Sequence, residues 1–138
     1  LAAELGATHV VDAGREDAEA RILDITRGGV DRALDTTGVP AVFTTMLRSL
    51  GMRGRAVGVA GAPSVDFPTQ HLLLRGAGAA MLVQGDARPR EIVPRLIELW
   101  QAGRFPLERL VRTYEAEAID DAVADSASGA TIKPVLVR

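Results

Sequence analysis

The 138-residue chain contains no cysteine. Disulfides and thiolate-held metals are therefore excluded within it, and cysteine usage does not indicate a redox compartment. Only two histidines are present, His9 and His71, far apart in the sequence. A protein-held zinc needs three or four ligands, so the pair reads as a strand-edge and a surface histidine rather than a metal site. No G-x-S-x-G segment accompanies either, which removes a hydrolase-type nucleophile. No run of about 18 apolar residues occurs, so no membrane span is expected, and no stretch reads as a signal peptide. Net charge is −2 with no basic stripe, which argues against a nucleic-acid partner. The dinucleotide fingerprint G-x-G-x-x-G is also missing. The chain begins at Leu1 rather than methionine, and residues 1–5 read as the last turn of a helix closed by Gly6. The expectation is a piece of a longer protein.

What is present centres on residues 29–61. Val30, Ala33 and Leu34 make a short apolar strand ending in Asp35, Thr36 and Thr37. Val42, Phe43, Met46, Leu47 and Leu50 follow at helical spacing, with Pro40 suited to the first turn and Gly51 to a left-handed residue past the end. Residues 55–60 give a second strand closing in Gly58 and Gly61. A strand, a covering helix and a second strand of this length imply a parallel pair. Ligands of such sheets bind outside the carboxyl ends of the strands. Those ends are residues 36–38 and 57–60.

Around this unit, residues 8–13 (T-H-V-V-D-A) read as a strand and residues 17–27 as a helix ended by Gly28-Gly29. Residues 69–74 read as a helical turn and 79–84 (A-A-M-L-V-Q) as a buried strand. Residues 89–103 form the longest helix, with Ile92, Val93, Leu96, Ile97 and Trp100 on one face and Pro94 near its first turn. Residues 107–114 read as extended. Residues 118–127 are helical, with Ile119, Ala122 and Val123 inward, and 131–137 form a last strand. The first half alternates helix and strand, which predicts a doubly wound α/β sheet. The last fifty residues do not simply continue that alternation, so a boundary is expected near Gly85.

Asp12 and Asp35 both stand at strand ends. A phosphoryl-accepting aspartate beside Lys133 would need an acidic pair for magnesium, and none is present, so both aspartates read as helix or turn caps. Gly58 and Gly61, spaced G-x-x-G, fit a tight turn as well as a ligand contact.

The ordered segments E-L-G-A-T-H-V-V-D, G-G-V-D-R-A-L-D-T-T-G and G-R-A-V-G-V-A-G resemble the cofactor domain of the zinc-dependent medium-chain alcohol dehydrogenases. The segments Q-G-D-A-R-P, I-V-P-R-L-I-E-L-W-Q-A-G-R-F-P-L-E-R-L-V-R-T-Y and D-S-A-S-G-A-T-I-K-P-V-L look like the aryl-alcohol (benzyl alcohol) branch. The resemblance runs from Leu1 to Arg138. It implies a partial Rossmann-like doubly wound parallel sheet over residues 1–85, its first strands absent. Residues 86–138 would be the returning segment of the catalytic domain.

The resemblance also implies site residues. Thr36 and Thr37 match the strand-end pair on the adenine side of NAD. Val57, Gly58 and Val59 match the segment passing under the nicotinamide. Leu82 and Gln84 match strand positions whose backbone completes the hold on the carboxamide. Lys133 matches a basic residue reaching the pyrophosphate, where the family often has arginine; lysine gives up the bidentate geometry. Val59 and Val83 would line the substrate side. Each also has a plain reading: core valines and leucines, helix-capping threonines, an exposed lysine.

In the family the zinc ligands and the proton-relay hydroxyl come from the amino-terminal catalytic domain, none of which is in this chain. No catalytic or metal residue is therefore assigned here, and zinc is expected only in the parent enzyme. The parent is expected to be a cytoplasmic, NAD-dependent dehydrogenase oxidising aryl or allylic primary alcohols to aldehydes, with this piece inactive alone. A homodimer or larger assembly is expected through the strand at 79–84, whose unpaired edge would otherwise invite aggregation. Two alternatives remain: a self-standing, non-catalytic α/β module that dimerises, and a zinc-free quinone reductase relative.

Overall fold

Val30–Asp35 (β1), Leu50–Gly58 (β2) and Gly78–Met81 (β3) form a parallel sheet in the order β1-β2-β3. The computed structural model describes residues 1–138. They divide into two compact units, Leu1–Ala87 and Arg88–Arg138.

In the first unit Ala18–Thr26 (α1) starts at Asp17, whose carboxylate accepts the Ala20 N–H at 3.0 Å. Pro40–Arg48 (α2) begins with its proline at the first position, where the missing N–H removes nothing. Phe43, Met46 and Leu47 lie on one face of α2 and are buried, as are Leu50, Ala56 and Leu72. Leu72 comes from Thr69–Arg75 (α3). Leu47 and Leu50 are fully enclosed, and each buried leucine contributes about 1.5–3 kcal/mol from water exclusion. Val42, expected on the same stripe, is exposed. The loop after β2 is tied back to α2: the Thr44 hydroxyl donates to the Asp66 carbonyl, and Arg48 reaches the Asp66 carboxylate, both at 3.0 Å. These ties seat Val65 against the core.

Several expectations change. Residues 8–13 form no strand, and Val10 is exposed. A strand exists only with a hydrogen-bonded neighbour. In the usual doubly wound order 3-2-1-4-5-6, the third strand pairs with the second and not with the fourth. No segment of this chain offers that neighbour. Residues 1–5 do form a hydrogen-bonded turn, with Leu5 N–H on the Leu1 carbonyl at 2.9 Å. Gly51 is not a left-handed cap. α2 ends at Ser49 in right-handed conformation, and Gly51 already lies in β2, where the Gly29 backbone passes close by. β3 is shorter than expected, and Val83 to Asp86 turn away from it in a tight turn with Gln84 and Asp86 at positive φ.

The second unit contains Pro89–Gln101 (α4), Val111–Glu115 (β4), Ile119–Ser128 (α5) and Lys133–Val137 (β5). β4 and β5 are parallel, with Val111 opposite Lys133 and Glu115 opposite Val137. With α5 between them they make another strand–helix–strand unit, so the alternation does continue beyond residue 87. Tyr114 anchors it. Its hydroxyl is 2.8 Å from both the Asp125 carboxylate and the Thr131 hydroxyl, and the Arg112 guanidinium lies 5.0 Å from its ring centroid. Ala122 is buried, but Ile119 and Val123 are exposed, contrary to their expected inward orientation. Within this unit the apolar stripe of α4 is uncovered as well, with Trp100 about half exposed. Pro94 sits a full turn inside α4, deeper than the first turn expected of it.

Candidate functional site

β1 runs out at Asp35, and the next three residues turn sharply. The Asp35 carboxylate organises that turn. One oxygen accepts the Thr37 N–H at 3.0 Å and the Thr37 hydroxyl at 2.7 Å; the other accepts the Gly38 N–H at 3.2 Å. Asp35 is only 2% exposed. Its hydroxyl bond from Thr37, and then the Thr37 N–H, hold its pKa below the usual 3.8. Burial pushes the other way but is outweighed, and the Gly38 N–H adds to the lowering. The Thr37 hydroxyl in turn accepts the Val39 N–H at 3.1 Å, at the entrance of α2.

This turn rests on the neighbouring strand end. The Asp35 carbonyl accepts the Val59 N–H at 3.0 Å, and the Gly58 carbonyl accepts the Leu82 N–H at 3.0 Å. Three strand ends are therefore joined in a row. Gly38 has φ +67°, and a Cβ on it would come within 2.7 Å of the Gly61 carbonyl oxygen. Only glycine lets the two loops approach so closely.

The structure thus brings Thr36, Thr37, Val57, Gly58, Val59 and Leu82 to one carboxyl edge of the sheet. Thr36, Thr37 and Val59 are exposed there, while Gly58 is buried. Leu82 donates its N–H within the sheet, so its carbonyl is the backbone group it has to offer a ligand. Gln84 lies in the tight turn that follows rather than on a strand, and its carbonyl accepts the Ala87 N–H at 3.3 Å. Lys133 belongs to the second unit, where it opens β5 and is exposed. Its N–H donates to the Leu110 carbonyl at 3.0 Å.

Asp35 is the contributor that the site assignment left out. Its signal was present in the sequence: an acid directly before T-T-G at a strand end, where a carboxylate caps a turn. Asp12 does the same elsewhere, accepting the Gly14 N–H at 3.0 Å. His9 is exposed and pairs with the Thr8 hydroxyl, whereas His71 is partly enclosed in α3, and its Nε2 lacks a partner. No three acidic, histidine or cysteine side chains cluster as a metal site. No helix is long and apolar enough to cross a membrane. Beside β3 an apolar recess of about 300 Å³ opens between Phe43, Val65, Phe67, Ala80 and Met81.

Residues 1–101 match the zinc-binding dehydrogenase family. The chain belongs to that family. Among curated relatives, the geraniol dehydrogenase of Castellaniella defragrans is 37% identical over 142 residues, covering 99% of this chain and 38% of that enzyme. Among solved structures, a zinc-binding-domain alcohol dehydrogenase from Burkholderia ambifaria superposes with TM-score 0.94 at 43% identity, over 98% of this chain and 37% of that one. Benzyl alcohol dehydrogenase from Acinetobacter calcoaceticus gives TM-score 0.93 at 38% identity, over 98% of this chain and 38% of that one. This zinc-binding dehydrogenase chain thus spans roughly two-fifths of the length of the relatives it matches. Its parallel α/β architecture is that of their Rossmann-like cofactor-binding part.

Proposed function

We propose that this chain is the carboxyl-terminal part of a cytoplasmic, NAD-dependent zinc alcohol dehydrogenase that oxidises aryl or allylic primary alcohols to aldehydes. Residues 1–85 would be the later part of the NAD domain, and 86–138 the returning segment of the catalytic domain. The observation that carries the reading is the row of three joined strand ends, Asp35 to Val59 and Gly58 to Leu82, with exposed Thr36 and Thr37 beside it. That is where a doubly wound sheet takes a dinucleotide. The similarity to geraniol and benzyl alcohol dehydrogenases supports the alcohol class, an allylic and an aryl alcohol respectively.

The residues fit a dinucleotide. The threonine pair offers two exposed side chains to the adenosine half. Val57 to Val59 and the Leu82 carbonyl offer backbone and an apolar wall to the nicotinamide half. Lys133 would meet the pyrophosphate as a point charge. When bound, the nicotinamide supplies the hydride acceptor. The part of this chain is to hold it in place and keep water from one side. Zinc would be held by residues outside this chain. Two copies would pair along β3, whose outer residues Ala79, Ala80 and Met81 are exposed.

Purified chain mixed with NAD and either benzyl alcohol or geraniol is expected to form no NADH, while the whole protein carrying it forms NADH with both. Turnover by the chain without added protein would overturn the reading. So would a zinc-loaded whole protein that oxidises neither alcohol.

A further inference from the structure

We propose that Asp35 is a positioning residue for dinucleotide binding, its carboxylate locking the 36–38 turn so that Thr36 and Thr37 meet the ligand already ordered. The inference rests on the reading of this sheet edge as a dinucleotide site. Three donors from two consecutive residues converge on one carboxylate at 2.7 to 3.2 Å. Asp35 itself is 2% exposed, whereas Thr36 and Thr37 are exposed. The acid is therefore closed off from a ligand, and it acts through the residues it holds. Its main-chain carbonyl takes the Val59 N–H, so the same residue also sets the β2 end. Gly38, which would otherwise be the freest position, is held by the Asp35 carboxylate and lies close against residues 60 and 61, while the Thr37 hydroxyl also accepts the Val39 N–H.

Freeing the carboxylate would release backbone that then has to be ordered each time a ligand binds. Fixing a residue's backbone costs conformational entropy, and binding bears that cost whenever it is not met in folding. Asp35→Asn is the sharpest change. It keeps shape and volume but replaces one acceptor oxygen with an NH2 group. Either the Gly38 N–H or the two Thr37 donors then face another donor.

The test uses the whole protein that carries this chain. NAD dissociation constants are measured by calorimetry, alongside melting temperature without NAD and steady-state kinetics. Asp35→Asn is expected to raise the NAD dissociation constant about tenfold, with kcat at saturating NAD within about twofold of wild type. An unchanged dissociation constant overturns the proposal, whether or not the melting temperature falls, because a purely structural role would lower melting alone. If Asp35→Asn does not fold, Asp35→Ser carries the test. It removes the carboxylate that gathers the three donors and is expected to weaken NAD binding about tenfold; wild-type affinity in that variant overturns the proposal equally. A wild-type protein that binds no NAD overturns the dinucleotide reading itself. Wild-type binding that Asp35→Asn leaves untouched overturns only the role of Asp35.

Discussion

Gly38→Ala strikes the site and the fold at one atom. Two costs arise together. Gly38 has φ +67°, a left-handed conformation that costs an L-residue about 1–2 kcal/mol. The new Cβ would also stand 2.7 Å from the Gly61 carbonyl oxygen and 3.3 Å from the Ala60 Cβ. The first neighbour is main chain and cannot swing aside as a flexible side chain would. Overpacking of this kind costs about 1–3 kcal/mol, so the total loss is expected at about 2–5 kcal/mol. Gly61→Ala is the matched control. Nothing lies within 4 Å of a Cβ there, and its φ is not positive, so it should change stability by less than about 0.5 kcal/mol. Urea unfolding of the chain followed by far-ultraviolet circular dichroism gives both numbers. The only tryptophan, Trp100, lies in the second unit, so its fluorescence would report elsewhere. Hydrogen exchange at the Val59 amide, which donates to Asp35, confirms that the loss is local. Gly38→Ala within 0.5 kcal/mol of wild type, or equal losses in both variants, would refute the close-approach argument.

Other expectations follow from single contacts. Leu47→Ala removes a fully enclosed side chain and should cost about 2–5 kcal/mol by urea unfolding, far more than Val42→Ala at its exposed neighbour. Tyr114→Phe strips a partner from the buried Thr131 hydroxyl and from Asp125; it should cost about 1–3 kcal/mol, with loss of exchange protection in β4 and β5. The Asp35 pKa is lowered in the folded chain, so its contribution is complete above the unfolded value near 3.8 and is lost as pH falls through the folded value. Acid unfolding of wild type should therefore steepen below about pH 4, and Asp35→Asn should lack that component; superimposable acid curves would exclude it.

The central strand–helix–strand is readable in the sequence because its signals are local. Helical spacing from Phe43 to Leu47, Pro40 at a first turn and an acid before T-T-G each act within a few residues. The pairing of β4 with β5 was not readable in this way. Val111 and Lys133 meet across α5, and nothing in either short segment names its partner. Residues 8–13 failed for the opposite reason: they have strand composition but no neighbouring strand to bond. The expected inward stripe of α5 shows a further limit, since periodicity marks which residues share a face but not whether another element covers it. Ile119 and Val123 share the face with buried Ala122 and stay exposed.

By itself, the sequence determined the parallel α/β class and the order of the central elements. Those follow from periodicity and turn chemistry. The tertiary structure alone decided that Asp35 is enclosed and binds its own turn, that Leu82 has already donated its N–H to Gly58, and that Gln84 leaves the strand. It also placed Lys133 in a different unit from the other seven residues proposed for the cofactor. The physical reason is the same throughout. Local preference is written along the chain, whereas the partner of a hydrogen bond is chosen only when distant segments meet.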